Sequence, residues 1–350
     1  FFNVNLDTII ICYLVYLIIL AMISLFKYKV LFFFNKENLI FFLVFFITSI
    51  IIFIEVANNL VIGWDAQKFW IYKMLNFYNG NSIDNLSNLP NPWYPYLGSL
   101  SWSFFWKVSF LENEYAGRLF YVFIYLLSLI LLINNFKLSL INKIAFLFLI
   151  IMITYDYTIH SHWSMFSGYQ EILIFSLVTI AMHFLYKLSN SSNKLENLNI
   201  MSILFITNVL VWIKHEGFVL SLALILTLIF FFDLKQKKKI NILLIFATII
   251  FFRLFIFNFY DLNSSGIQHA GFKYQNINDI FEKFSLERIL IILKYLFINI
   301  VANFLTIIGL ILIFLSLITK KNVKKLYYII FFAVFTITCF CFIYLISNPT

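Results

Sequence analysis

The sequence predicts an all-α polytopic membrane protein, with about ten transmembrane helices and one large loop early in the chain. Three observations predict it. First, 63% of the 350 residues are hydrophobic and only 12% are charged, with a mean hydropathy of +0.94. Soluble domains carry about a quarter charged residues, so most of this surface has to be solvated by lipid. Second, apolar runs recur at 8–26, 39–57, 116–134, 141–156, 171–187, 200–213, 217–232, 240–257, 296–319 and 326–346. Several are shorter than the roughly 20 residues of an untilted crossing. Third, the lysines collect in short patches between those runs, as the positive-inside rule expects of cytoplasmic loops.

Ten crossings with residues 1–7 outside put Lys27, Lys29 and Lys36, Lys137 and Lys143, Lys187 and Lys194, Lys235 with Lys237, Lys238 and Lys239, and Lys320, Lys321, Lys324 and Lys325 on one side. Only Glu37, Glu196 and Asp233 join them there, and the other acids fall at the opposite face or at its membrane edge. The formal charge of +9 is therefore topological, and with no nucleic-acid-binding motif beside it, no nucleic-acid partner is expected. Cys12, Cys339 and Cys341 lie inside apolar runs and make no disulfide framework. The chain opens without Met and stops in "YLISNPT" as the last helix exits, which reads as a fragment. Within it, 1–350 form one transmembrane domain, with a first outer loop at 58–115 and a second at 258–295.

The first outer loop is not loop-like in composition. "WDAQKFWIYKMLNFY" and "YLGSLSWSFFWKVSF" alternate aromatic and polar residues like helices lying at a bilayer interface. Between them "LPNPWYPY" holds Pro90, Pro92 and Pro95, and proline fixes φ and removes a donor, so a stiff extended linker is expected. The segment 258–295, with "NSSGIQHAGFKYQN", reads as a mobile loop.

Ionisable residues at membrane depth are costly and point to function by default. Four segments bring them to the outer edge. Asp65 follows the second apolar run, with Lys68 and Lys73 one and two turns on. "SHWSMFSGYQEI" supplies His160, His162, Tyr169, Gln170 and Glu171. "WIKHEGF" places Lys214, His215 and Glu216 at a hairpin tip. Arg118 opens a span in "NEYAGRLFY". Each has a plainer alternative. Asp65 pairs locally with Lys68, Trp70 and Tyr94 belong to an aromatic belt, the 214–216 turn is simply solvated, and Arg118 snorkels to headgroups. Asp156, His160, His162 and Glu171 match no metal-ligand spacing, so no metal cofactor is expected. No Asp-x-Asp motif, phosphate-binding glycine loop or Gly-x-Ser-x-Gly elbow occurs.

"GWDAQKFWIYK" at 63–73, "NPWYPYLGSL" at 91–100, "SGYQEI" at 167–172 and "WIKHEGFVLSLAL" at 212–224 together resemble the GT-C glycosyltransferases, most closely the bacterial branch related to protein O-mannosyltransferases and the aminoarabinose transferase of lipid A. The resemblance runs in order over residues 40–260. It implies a transfer of sugar from a polyprenyl-phosphate carrier to a lipid, glycan or protein acceptor, on the non-cytoplasmic face of a bacterial inner membrane. It implies Asp65 as base or acceptor-orienting residue, Glu171 as the acid of the next outer turn, and Lys214 and Glu216 in a Lys-x-Glu-Gly turn with His215 in its variable place. Lys68, Trp70, Tyr94, Arg118, His162, Lys214, His215 and Glu216 make up the expected substrate- and carrier-binding set. The residue chemistry agrees. Glycosyl transfer to a hydroxyl needs a base, and Lys or Arg can neutralise a departing lipid monophosphate.

Two other classes fit less of the sequence. An O-antigen ligase or polymerase would rely on His269, Lys273 and Arg288 in a late outer loop. A lipid or solute transporter would need ionisable or Gly/Pro-broken helices at the midplane, and these runs are nearly free of both.

Overall fold

A computed structural model describes residues 8, 10–13, 15, 16, 18, 19, 36–58, 61–109, 111–155, 166–190, 196–262, 285–302, 311 and 323–346. Every regular element among them is helical. Helix α1, Lys36–Asn58, has 23 residues. At a rise of ~1.5 Å per residue it is about 35 Å long, enough for a hydrocarbon core of roughly 30 Å. A π-helical turn, Ala66–Trp70, leads into α2, Ile71–Tyr78. Helix α3 is Leu97–Val108 and α4 is Leu119–Ile133. They are followed by α5, Leu140–Tyr155, α6, Glu171–Asn190, and α7, Glu196–Ile213. The chain continues with α8, His215–Phe231, α9, Gln236–Phe259, α10, Leu286–Ala302, and α11, Val323–Ile346.

Five helical segments among the described residues are long and apolar enough to cross a membrane: Leu39–Asn58, Glu114–Ile133, Glu171–Asn190, Glu196–Ile213 and Gln236–Phe259. Leu140–Ile153, His215–Phe231 and Tyr327–Ile343 are shorter apolar helices. The expected ten spans are thus met in part, and the runs 8–26 and 296–319 lie largely outside the described residues. Of the expected second outer loop, residues 286–295 are helical, as part of α10, and residues 263–284 lie outside the described residues.

The chain divides into two compact units. The first comprises Phe1–Phe184, Asn208–Gly217 and Ile250–Ser265, and the second Leu185–Thr207, Phe218–Ile249 and Gly266–Thr350. In the second unit Leu224, Ile225, Leu228 and Ile203 are buried, and Lys238 pairs with Glu196 at 2.7 Å.

The first unit is built on a hairpin of α2 and α3. Small residues let the two backbones approach. Ser99 Oγ donates to Trp70 O at 3.1 Å, and Ser103 Oγ to Met74 O. Trp70, Met74, Phe77, Trp102 and Trp106 are buried around this contact. The two segments therefore pack on each other rather than standing apart. Trp70, expected in a binding surface, is 1% exposed and serves the core. Its ring meets Tyr94 edge-on at 5.3 Å.

The proline-rich turn is held by Lys73. This side chain is fully buried and donates to Pro92 O at 3.4 Å and to Tyr94 O. Burial pushes its ammonium well below the ordinary lysine value. Asn91 takes a left-handed φ of 54°, which asparagine tolerates, and its side chain donates to Lys68 O at 3.3 Å.

Candidate functional site

The site is assembled from four stretches of the first unit. Residues 61–65 leave α1 and turn onto the π-helical segment. Gly63 N–H donates to Ser167 O at 2.9 Å, so this turn is laced to the stretch that precedes α6. The two strands of chain touch so closely that a Cβ on Gly63 would lie 2.1 Å from the Tyr169 ring. Gly168 has φ +98°, a left-handed conformation that glycine adopts without strain, and it faces Ala66 and Trp102. The Tyr169 hydroxyl lies against the backbone N–H groups of Trp64 and Asp65. Asp65 and Glu171 are thereby brought to one place.

The third stretch is the connection between α7 and α8. It is tighter than the sequence required, because α7 ends at Ile213 and α8 begins at His215, leaving Lys214 alone between them. Gly217 makes this possible. A Cβ there would stand 2.0 Å from Leu210 O. Lys214 Nζ donates to Glu171 Oε1 and lies 3.3 Å from Glu216 Oε1. The lysine side chain is 11% exposed, against 36% for Glu171 and 42% for Glu216.

Asp65 completes the group. Burial pushes its carboxyl above the usual carboxylate range; the Lys214 ammonium opposes this, and the Glu171 and Glu216 carboxylates add to it. Among the described residues Asp65 makes no ion pair with Lys68, so the local pairing allowed by their spacing does not form. Burial works against the charge of Lys214, yet Glu171, Glu216 and Asp65 together hold it above the ordinary lysine value. Three carboxylates thus share one ammonium, and the cluster is formally negative.

The fourth stretch supplies aromatic walls. Tyr94 packs on Phe69 at 4.5 Å and on His215 at 5.1 Å, while Trp93 stacks on His215 at 5.4 Å and 16°. Burial first, then the Glu216 carboxylate, pushes the Tyr94 phenol up to about 12, so it stays a donor at neutral pH. Arg253, from α9, reaches this group. Its guanidinium donates to Val211 O at 2.7 Å, lies 3.1 Å from His215 Nδ1 and sits 5.3 Å from the Phe257 ring centre.

Asp65, Glu171, Lys214 and Glu216 therefore come together, with Tyr94 and His215 alongside. Arg118 does not join them. It is 1% exposed and pairs with Glu114 one helical turn away at 3.3 Å, so it is a buried structural pair rather than a headgroup-facing cation. Lys68 is exposed on the π-helical segment. His160 and His162 lie outside the described residues, as do His269 and Lys273. Among the described residues no set of three or more His, Cys, Asp or Glu is arranged to hold a metal.

Sequence reasoning passed over Arg253 and left Lys73 without a role. A signal existed for Arg253, a lone charge in the apolar stretch "IIFFRLFIF". For Lys73 none did, because only the folded chain shows which carbonyls need its donors.

No known protein family, curated protein or solved structure matches this chain.

Proposed function

We propose that the first unit is the site of a membrane glycosyltransferase that moves a sugar from a polyprenyl-phosphate carrier to a hydroxyl acceptor. The observation that carries this reading is the convergence of Asp65, Glu171 and Glu216 on Lys214 from three separate stretches. Asp65 takes the acceptor proton as the acceptor oxygen bonds to the anomeric carbon. The bond from that carbon to the phosphate oxygen breaks, and the lipid phosphate leaves with the electron pair. Sugar transfer passes through an oxocarbenium-like state, and a formally negative cluster stabilises positive charge developing at the anomeric carbon. Asp65 is suited to the base role because desolvation raises its proton affinity.

Lys214 is better read as the residue that holds Glu171 and Glu216 in place than as the partner of the lipid phosphate, since two carboxylates already occupy it. With Arg118 committed to Glu114, the exposed ammonium of Lys68 is left for the departing phosphate. The reacting face is the one opposite the lysine-rich loops, and a bacterial inner membrane supplies the polyprenyl carrier.

The test is transfer of radiolabelled sugar from a panel of polyprenyl-phosphate donors by the full chain in lipid nanodiscs, beside Asp65→Asn. Transfer that Asp65→Asn abolishes supports the reading. Vesicle uptake or lipid flipping with no transfer from any donor would put a transporter in its place.

A further inference from the structure

His215 and Arg253 make an arrangement that the carboxylate cluster does not explain. A guanidinium has N–H donors and no acceptor, so the His215 Nδ1 that lies 3.1 Å from Arg253 accepts the hydrogen bond. A ring whose Nδ1 accepts carries its proton on Nε2 and is uncharged. Nε2 stands on the edge of the imidazole turned away from Nδ1, and the ring plane is set by the near-parallel Trp93 indole at 16°. Arg253 is itself anchored, through Val211 O at the end of α7 and through Phe257 on its own helix. The His215 side of the turn thus holds a single tautomer in a single orientation.

We propose that Arg253 is a positioning residue that locks His215 as a neutral Nε2–H donor, and that this N–H binds an oxygen of the substrate beside the carboxylate cluster. The substrate half of the statement rests on the transferase reading; the tautomer half does not. Apart from the Tyr94 hydroxyl, a site with three carboxylates and a single paired ammonium is short of neutral donors. A sugar hydroxyl or phosphate oxygen entering it has to be met by a donor that does not titrate with the carboxylates. An imidazole free in solution would change charge near pH 6.5. Desolvated first of all, and bound to a guanidinium, it does not. The charged groups facing the ring are Arg253 from α9, Lys73 from α2 and Lys214 from the turn, with the carboxylate of Glu216 next in the chain. The aromatic faces are Trp93 and Tyr94.

The experiment is nitrogen-15 NMR of histidine-labelled full chain in nanodiscs, with the His215 signals assigned by their loss in His215→Gln. The expected spectrum has one protonated Nε2 and one unprotonated Nδ1, unchanged from about pH 5 to 8. In Arg253→Met the ring, still desolvated, should stay uncharged but divide its proton between Nδ1 and Nε2, and Arg253→Lys, which keeps a cationic donor, should restore the Nε2–H form. A wild-type His215 that becomes imidazolium in that range, or that carries its proton on Nδ1, overturns the proposal. So does an Arg253→Met ring that keeps its proton wholly on Nε2. Sugar transfer is read on the same samples. Arg253→Met should raise KM several-fold at pH 6 and at pH 8 alike, and an unchanged KM removes His215 from substrate binding. Absence of transfer by the wild type overturns the transferase reading and with it the substrate half, while the NMR signature decides the tautomer half independently.

Discussion

Lys214, between α7 and α8, donates a hydrogen bond to Glu171 at the start of α6 across 43 residues of sequence, and no other contact ties those two helix ends through charged side chains among the described residues. The pair decides how the acidic cluster is held. Remove the ammonium and three carboxylates face one another with nothing between them.

Lys214→Met should therefore lower stability by about 1–3 kcal/mol, the cost of leaving partly buried carboxylates unpaired, discounted because both glutamates are more than a third exposed. The folded state holds the Lys214 proton more tightly than the unfolded chain. Its contribution is then complete below the ordinary lysine value and is lost only as pH rises through the raised one. Thermal unfolding in detergent should show the same loss from about pH 6 to 9. The double variant Lys214→Met with Glu171→Gln should lose less than the sum of the two.

Asp65→Asn should reduce transfer by roughly 10²–10⁴-fold if Asp65 is the base, while the protein remains folded. Its carboxyl has a raised value in the fold, so the folded state binds more protons and stability falls as pH climbs from the ordinary to the raised value. At neutral pH the amide should leave Tm unchanged or higher. A substantially lower Tm would show that Asp65 is a structural partner instead. The acid limb of the wild-type rate profile should lie above 3.8, the unperturbed value.

Lys73→Met keeps the alkyl chain and deletes the donors to Pro92 O and Tyr94 O. A loss of about 1–3 kcal/mol is expected from the two orphaned carbonyls. The sign of the pH effect is opposite to that of Lys214. The folded state releases the Lys73 proton more readily, so wild-type stability rises as pH increases from the lowered value towards 10.5, and Lys73→Met should remove that slope. Denaturation followed by tryptophan fluorescence at several pH values measures it.

Gly217→Ala places a methyl group against Leu210 O at 2.0 Å, a backbone atom that cannot swing aside. The α7–α8 turn should open and separate Lys214 from Glu171. Size-exclusion chromatography and thermal unfolding should show a marked loss of folded protein, and Gly217→Ala with wild-type stability would mean that the turn is not the close contact described.

Much of the helical arrangement was legible because hydropathy is a local property. The run at 39–57 became α1, that at 240–257 became α9, and the tight 214–216 turn was readable from the short gap between two apolar runs. Asp65, Glu171, Lys214 and Glu216 were also readable, since a carboxylate or ammonium beside an apolar run is conspicuous. Their partners were not. Trp70 looked like an interfacial ring and is core, because the π-helical turn that ends in it is packed against α3. Arg118 looked like a cation facing headgroups and is spent on Glu114. Burial depends on which helix faces arrive from elsewhere, and no window of sequence contains that.

The sequence by itself determined that this chain is helical and lipid-solvated, because composition and the spacing of apolar runs leave backbone polar groups only helices in which to be satisfied. It also determined which ionisable residues stand at the helix ends. Only the tertiary structure decided that Lys214 is shared by Glu171 and Glu216, that Asp65 answers to that cluster rather than to Lys68, and that Arg253 sets the His215 ring. Those choices are made by distances of a few ångströms between residues tens of positions apart, where Coulomb energy and desolvation vary steeply and sequence separation carries no information.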